Sequence, residues 1–129
     1  MDFSEYYIAS HNGKSNCVVR SFCKLFEKEY DEVFLELCNL ANELNISSFN
    51  EIEVFESYLS KHNIKKIDYG VDVKIRDLEL NNGNYAVFCW DKIDFYHMIP
   101  IIDKVIYDKS DECLNLYVIN IYKKIEVGK

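Results

Sequence analysis

The 129-residue sequence has little proline and little glycine, with 1 Pro and 4 Gly. Collagen-like repeats, disordered chains and long linkers need far more of both, so this composition excludes them. Basic residues are in the minority, since 15 Lys and Arg stand against 22 Asp and Glu and the formal net charge is -7. Proteins that bind phosphate backbones usually carry a basic stripe, and the sequence has none. We therefore expect no direct nucleic-acid binding and no membrane binding.

Long apolar runs and paired metal ligands are also missing. The longest apolar stretches, 85–90 and 98–102, are far shorter than the ~20 residues that a membrane span requires. The five cysteines are irregularly spaced, without a C-x-x-C pair or a Cys/His quartet, so no metal or other cofactor is predicted. The acidic residues 1–5 do not lead into an apolar signal segment. These features predict a cytoplasmic protein with reduced thiols, folded as one domain over 1–129.

The sequence contains a helical first half and a strand-rich second half. Apolar residues at helical spacing predict helices at about 17–28, 32–44 and 51–62, capped by Asn16, Asp31 and Asn50. Branched and aromatic residues predict strands at 65–69, 71–80, 84–90, 96–102, 105–107 and 116–123. Helices followed by consecutive strands indicate an α+β fold with an antiparallel sheet.

Cys17 is the first candidate for a chemical role, because it falls at the first position of a predicted helix. Unsatisfied backbone N–H groups and the helix dipole favour a negative charge there, and the thiolate is the reactive form of cysteine. The alternative is a small buried residue, which is what most free cysteines are. Cys23, Cys38 and Cys89 fit that alternative, whereas Cys113 follows an acidic loop and is expected to be exposed.

His97 and Asp108 strengthen the case for Cys17. If Asp103 and Lys104 form a two-residue hairpin turn, Asp108 lies opposite Ile99 and shares a face of the sheet with His97. Such diagonal neighbours lie ~7–8 Å apart at Cα, within reach of an imidazole and a carboxylate. The carboxylate would orient the ring and leave its other nitrogen for the thiol. Taken alone, His97 is a structural histidine and Asp108 a solvated acid.

Several segments resemble the small papain-like cysteine peptidases of bacteriophages and low-GC bacteria. The segments are Asn16-Cys17-Val18-Val19-Arg20-Ser21-Phe22, then Tyr30-Asp31-Glu32-Val33, then 83–88 and 97–108, and the likeness covers about 12–123. The resemblance implies a papain-like fold with Cys17 as nucleophile, His97 as general base and acid, and Asp108 as the residue that orients His97. It also implies a protein or peptide substrate, cleaved by acyl transfer at a peptide or isopeptide bond; deamidation and transglutamination would use the same residues.

Two features separate the sequence from that family. The glutamine that papain-like peptidases place some six residues before the cysteine is replaced by His11, with Asn12 beside it. We therefore predict that Asn12 and the Cys17 amide donate to the oxyanion. The acidic charge and the missing glutamine also support an alternative function: a catalytically silent papain-like module that docks on a basic host or defence protein.

Overall fold

The computed structural model describes residues 1–70 and 72–125, which form three α-helices and one six-stranded sheet. The helices are α1 (Cys17–Phe26), α2 (Tyr30–Glu43) and α3 (Ile52–Lys61). The strands are β1 (Asp2–Glu5), β2 (Ile64–Ile67), β3 (Asn84–Trp90), β4 (Tyr96–Ile102), β5 (Val105–Asp108) and β6 (Tyr117–Lys124). Among these helices, none is both long enough and apolar enough to cross a bilayer.

The sheet has the strand order β1-β5-β4-β3-β6-β2, and its neighbours are antiparallel except for β1 and β5. The predicted α+β class is confirmed, but the prediction of a wholly antiparallel sheet is wrong. The parallel strand β1 comes from the first residues of the chain, where Asp2, Ser4 and Glu5 give no apolar alternation. Backbone pairing with β5 stabilises this strand instead.

The central strands agree with the sequence prediction, whereas the strand predicted at 71–80 is wrong. Val71 lies outside the described residues, and the rest of that segment forms loops around a short 3-10 turn, Ile75–Asp77. Ile75, Leu78 and Leu80 are buried in this segment. The first two of them are spaced by three, which fits a turn and not a strand.

The helix starts depend on local capping. Asn16 caps α1 as predicted, since its side chain accepts hydrogen bonds from the amides of Val18 and Val19. Asp31 and Asn50 do not cap their helices: α2 follows Glu29, α3 follows Glu51, and neither residue makes a side-chain capping bond. Packing of the buried apolar faces of α2 and α3 therefore fixes where these helices begin.

The sheet separates two apolar layers. On one face the three helices pack against a cluster that includes Phe22, Phe55 and Phe88. On the other face Val87, Ile99 and other strand residues pack under the segments around 73–80 and 113–116. Because strand side chains alternate between the two faces, each residue of β4 is assigned to one layer or the other. His97 has the same parity as Ile99 and therefore faces the second layer.

Candidate functional site

Cys17 is the first residue of α1, and two contacts hold its helix against β4. The Ser21 hydroxyl donates to the carbonyl oxygen of Met98 at 2.8 Å. The Met98 backbone amide lies close enough to Cys17 to lower the pKa of its thiol. Met98 follows His97 in the chain, so these contacts bring the start of α1 beside the first residues of β4, where His97 lies. Cys17 itself is partly buried.

The hairpin between β4 and β5 brings His97 and Asp108 together. Ile102 pairs with Val105, and Asp103 and Lys104 form the two-residue turn with positive φ angles of 47° and 68°. The register matches the one predicted, and His97 Nε2 lies 2.7 Å from Asp108 Oδ2. Both side chains are buried. Since Nε2 faces Asp108, Nδ1 is the nitrogen that can face Cys17, whose thiol helps to raise the pKa of His97.

The contacts between Cys17 and His97 shift both pKa values. Burial raises the pKa of Cys17, but the hydrogen bond and charge of His97, the Met98 amide and the Arg20 charge outweigh burial, and the pKa lies below its ordinary value. Burial lowers the pKa of His97, but bonding to Asp108 and Cys17 raises it to about 9. The lowered pKa of Cys17 and the raised pKa of His97 both favour a thiolate beside an imidazolium.

The other four thiols have the opposite shift. Burial raises the pKa of Cys38 and Cys89, and it raises that of Cys23 to about 12. Cys113, which the sequence suggested is exposed, is buried beside Asp108, and its pKa is also raised by burial. Cys17 is therefore the thiol that its surroundings activate as a nucleophile.

Arg20 also belongs to the site, through contacts that the sequence analysis did not predict. Its guanidinium donates from Nη2 to Asp108 Oδ1 at 3.3 Å, and both side chains are about 5% exposed. The Lys109 amide donates to the same oxygen at 2.9 Å. The spacing of three between Cys17 and Arg20, which places both on one face of α1, was the available signal. The hydrogen bond and charge of His97, the Lys109 amide and the Arg20 charge together lower the pKa of Asp108 in spite of burial.

One of the two predicted oxyanion donors is well placed. The Asn16 side chain accepts hydrogen bonds from the amides of Val18 and Val19. Among the described residues, no acceptor is bonded to the Cys17 amide. The backbone N–H of Cys17 is thus available beside its own sulfur. Asn12 lies in the exposed loop before α1, where its side-chain oxygen accepts from the Ser10 hydroxyl and the Lys14 amide. No contact in the described structure joins Asn12 to Cys17.

Two concave surfaces flank the site. A groove of about 830 Å³ lies beside the start of α1 and is lined by Asn12, Asn16, Phe34 and Phe49, together with His11, which pairs with Asp31 at 3.0 Å. A smaller pocket of about 210 Å³ borders His97 and Asp108. The half-exposed Phe95 ring forms part of its wall and stacks on the imidazole at 5.6 Å between centroids.

No three His, Cys, Asp or Glu side chains converge as metal ligands within 1–70 and 72–125. Comparisons with protein-family models, curated proteins and solved structures find no match to this chain. The function is therefore inferred from the residues of the site. A thiol of lowered pKa, an imidazole beside it and a buried carboxylate bonded to the imidazole are the groups that acyl transfer through a thioester uses.

Proposed function

We propose that the protein is a papain-like thiol hydrolase that cleaves a peptide or isopeptide bond by acyl transfer. The observation that carries this proposal is the 2.7 Å bond between His97 and Asp108 beside Cys17, whose pKa is lowered by His97. The resemblance of the segments around Cys17 and His97 to papain-like peptidases supports the same conclusion.

The chemistry follows from these positions. The Cys17 proton resides on His97 Nδ1, and the thiolate adds to the substrate carbonyl carbon. The resulting oxyanion accepts a hydrogen bond from the Cys17 amide. The C–N bond then breaks, and the leaving amine takes the proton from His97 to give a thioester. A water molecule then attacks the thioester and gives its proton to His97, the C–S bond breaks, and the carboxylic acid leaves.

Asp108 orients His97 in this scheme. Its carboxylate accepts from Nε2, which fixes the tautomer of the neutral ring and stabilises the imidazolium when it forms. The Arg20 guanidinium and the Lys109 amide hold the other carboxylate oxygen. The carboxylate therefore cannot rotate away from His97 without losing two further hydrogen bonds.

The selectivity of alkylation tests the reactive centre. The native protein is treated with limiting iodoacetamide at pH 7, and the modified fraction of each of its cysteines is measured by peptide mass spectrometry. Cys17 is expected to react at least tenfold faster than Cys38, the other partly exposed thiol. The His97→Ala variant should lose this preference, while Cys38→Ser should keep it. Equal, slow modification of Cys17 and Cys38 in the wild-type protein would refute the proposal.

Cleavage is tested with a peptide library that includes isopeptide-linked lysines. The wild-type protein and Cys38→Ser should release products, and Cys17→Ser and His97→Ala should release none. Release that persists in Cys17→Ser would assign the activity to another site or to a contaminant.

A catalytically silent binding module is the second candidate. It is favoured by the net charge of -7 and by Asn12, whose side chain is bonded within its own loop and not to the reactive centre. This candidate predicts that a basic partner protein binds equally well to the wild type and to Cys17→Ala, and that binding weakens steeply with salt. A protein that shows such binding and no turnover would have this function instead of hydrolysis.

A further inference from the structure

Arg20 is a charged side chain in the interior, directly behind Asp108. One end of its guanidinium donates to Asp108, and the other end, Nη1, donates to the Ser15 hydroxyl at 2.9 Å. The Ser15 hydroxyl in turn donates to the carbonyl oxygen of Ile8 at 2.7 Å. Since an unpaired buried charge is very unfavourable, the Arg20 guanidinium requires the Asp108 carboxylate in this position.

These two contacts reach both halves of the reactive pair. Ser15 lies two residues before Cys17, in the turn that leads into α1. Asp108 holds His97 on the opposite side. The guanidinium is planar and its donors point in fixed directions, so its two hydrogen bonds fix the separation between Ser15 and Asp108. A lysine ammonium is a single point of charge and cannot hold both partners in the same geometry.

The charges around the pair balance when Arg20 is present. Arg20 and Asp108 sum to zero, and the Cys17–His97 pair is neutral overall both before and after its internal proton transfer. Five other titratable side chains face this cluster from the neighbouring elements. They are Tyr6 after β1, Cys23 in α1, Tyr30 in α2, Cys89 in β3 and Cys113 in the turn before β6. Burial raises the pKa of each of them, so they are uncharged at neutral pH. Lys109 and Glu112 border His97 but are exposed, so water and salt screen their charges.

We propose that Arg20 is a positioning residue for the Cys17–His97 pair, which joins the turn before Cys17 to the carboxylate that holds His97. The proposal rests on the proposed function, since positioning matters only if the pair is reactive. It adds a fourth residue to the site, one that acts through Ser15 and Asp108 and does not touch the substrate.

The pH dependence of Cys17 alkylation separates positioning from a merely structural role. The rate constant is measured from pH 5 to 10 for the wild type, Arg20→Met and Arg20→Lys. Lys24→Met is the matched control, since Lys24 is a cation one helical turn later that lies over the Tyr107 ring at 4.3 Å. Circular dichroism and urea unfolding establish that each variant is folded under the assay conditions.

Arg20→Met should move the midpoint of the pH profile upward, because the Arg20 charge favours the thiolate and because Asp108 loses its countercharge. At pH values below the midpoint, the alkylation rate should fall about tenfold for each unit of that upward shift. Arg20→Lys keeps the charge and should keep the midpoint. Its plateau rate should fall at least about threefold, because an ammonium cannot donate to Ser15 and Asp108 in the geometry of the planar guanidinium. Lys24→Met should match the wild type in both.

A folded Arg20→Met with the wild-type midpoint would overturn the proposal. If Arg20→Met does not fold, an Arg20→Lys plateau rate equal to that of the wild type overturns it. Failure of the proposed function gives a different result, because wild-type Cys17 would then have an ordinary thiol midpoint and no advantage over Cys38.

Discussion

The Arg20–Asp108 ion pair leads to a stability prediction that does not depend on catalysis. Asp108→Asn removes the countercharge of a guanidinium whose side chain is only 5% exposed. Removing one partner of a buried pair typically costs about 3–5 kcal/mol of the free energy of unfolding. Arg20→Met should cost less, about 1–3 kcal/mol, because Asp108 keeps its bonds to His97 at 2.7 Å and to the Lys109 amide at 2.9 Å.

The double variant decides whether this reasoning holds. With Arg20 and Asp108 both replaced, no buried charge of the pair is left unpaired. The loss should therefore be smaller than the sum of the single losses by about 2 kcal/mol. Urea unfolding of the four proteins at pH 7 and 25 °C measures this coupling, and total stabilities of about 5–15 kcal/mol leave room for it.

A surface pair provides the control. Lys92 Nζ lies 3.0 Å from Asp72 Oδ1, with both side chains at least 41% exposed, and its coupling should be below about 1 kcal/mol. A coupling between Arg20 and Asp108 no larger than that of the surface pair would refute the argument that a buried, unpaired Arg20 is the dominant cost.

Three further predictions concern turnover, the core and the hairpin. Peptide cleavage should fall as the pH rises through about 9, the pKa of His97, because a neutral imidazole cannot protonate the leaving amine; a level rate from pH 7 to 10.5 would contradict this. Phe55→Ala should lower the free energy of unfolding by about 3–5 kcal/mol, since residue 55 is 1% exposed and its ring centroid lies 5.2 Å from that of Phe88. Urea unfolding measures this loss, and a loss below about 1 kcal/mol would contradict the packing. Lys104→Gly should raise the free energy of unfolding by up to about 1 kcal/mol, because φ at Lys104 is 68° and glycine adopts this angle without strain. A lower free energy of unfolding, measured by calorimetry, would contradict this.

The parts of the fold that the sequence predicted are those with strong local signals. Strands 84–90 and 96–102 have continuous apolar and aromatic character, and the Asp103–Lys104 turn fixes their neighbour β5. Asn16 was recognisable as a cap because it directly precedes an apolar helical pattern. The α+β class followed from these elements alone.

The parts that were missed depend on long-range pairing. β1 has a short polar sequence, and only its backbone bonds to a strand about 100 positions later make it a strand. The segment near Ile75 has branched residues typical of a strand, but it pairs with β6 only through a single bridge, Lys74 with Tyr117, and its apolar side chains cover the sheet. In both cases tertiary contacts outweigh local preference.

The site was predictable to the extent that strand parity and helix position determine it. Two-residue alternation put His97 and Asp108 on one face, and the helix start marked Cys17. The two hydrogen bonds of Arg20 join Ser15 and Asp108, which are 93 positions apart, and no local pattern reveals that pairing. The burial of Cys113 beside Asp108 is equally a consequence of the fold, since its acidic neighbours suggest exposure.

The strand at the start of the chain has a practical consequence for how the protein is handled. Glu5 pairs with Asp108, and the Tyr6 amide donates to the Asp108 carbonyl oxygen at 2.8 Å, so β1 lies along the backbone that carries the carboxylate. An affinity tag fused ahead of Met1 would extend directly from this edge strand. In the strand order, β6 is separated from β5 by β4 and β3. Purified material for kinetic work is therefore better tagged at the carboxyl terminus.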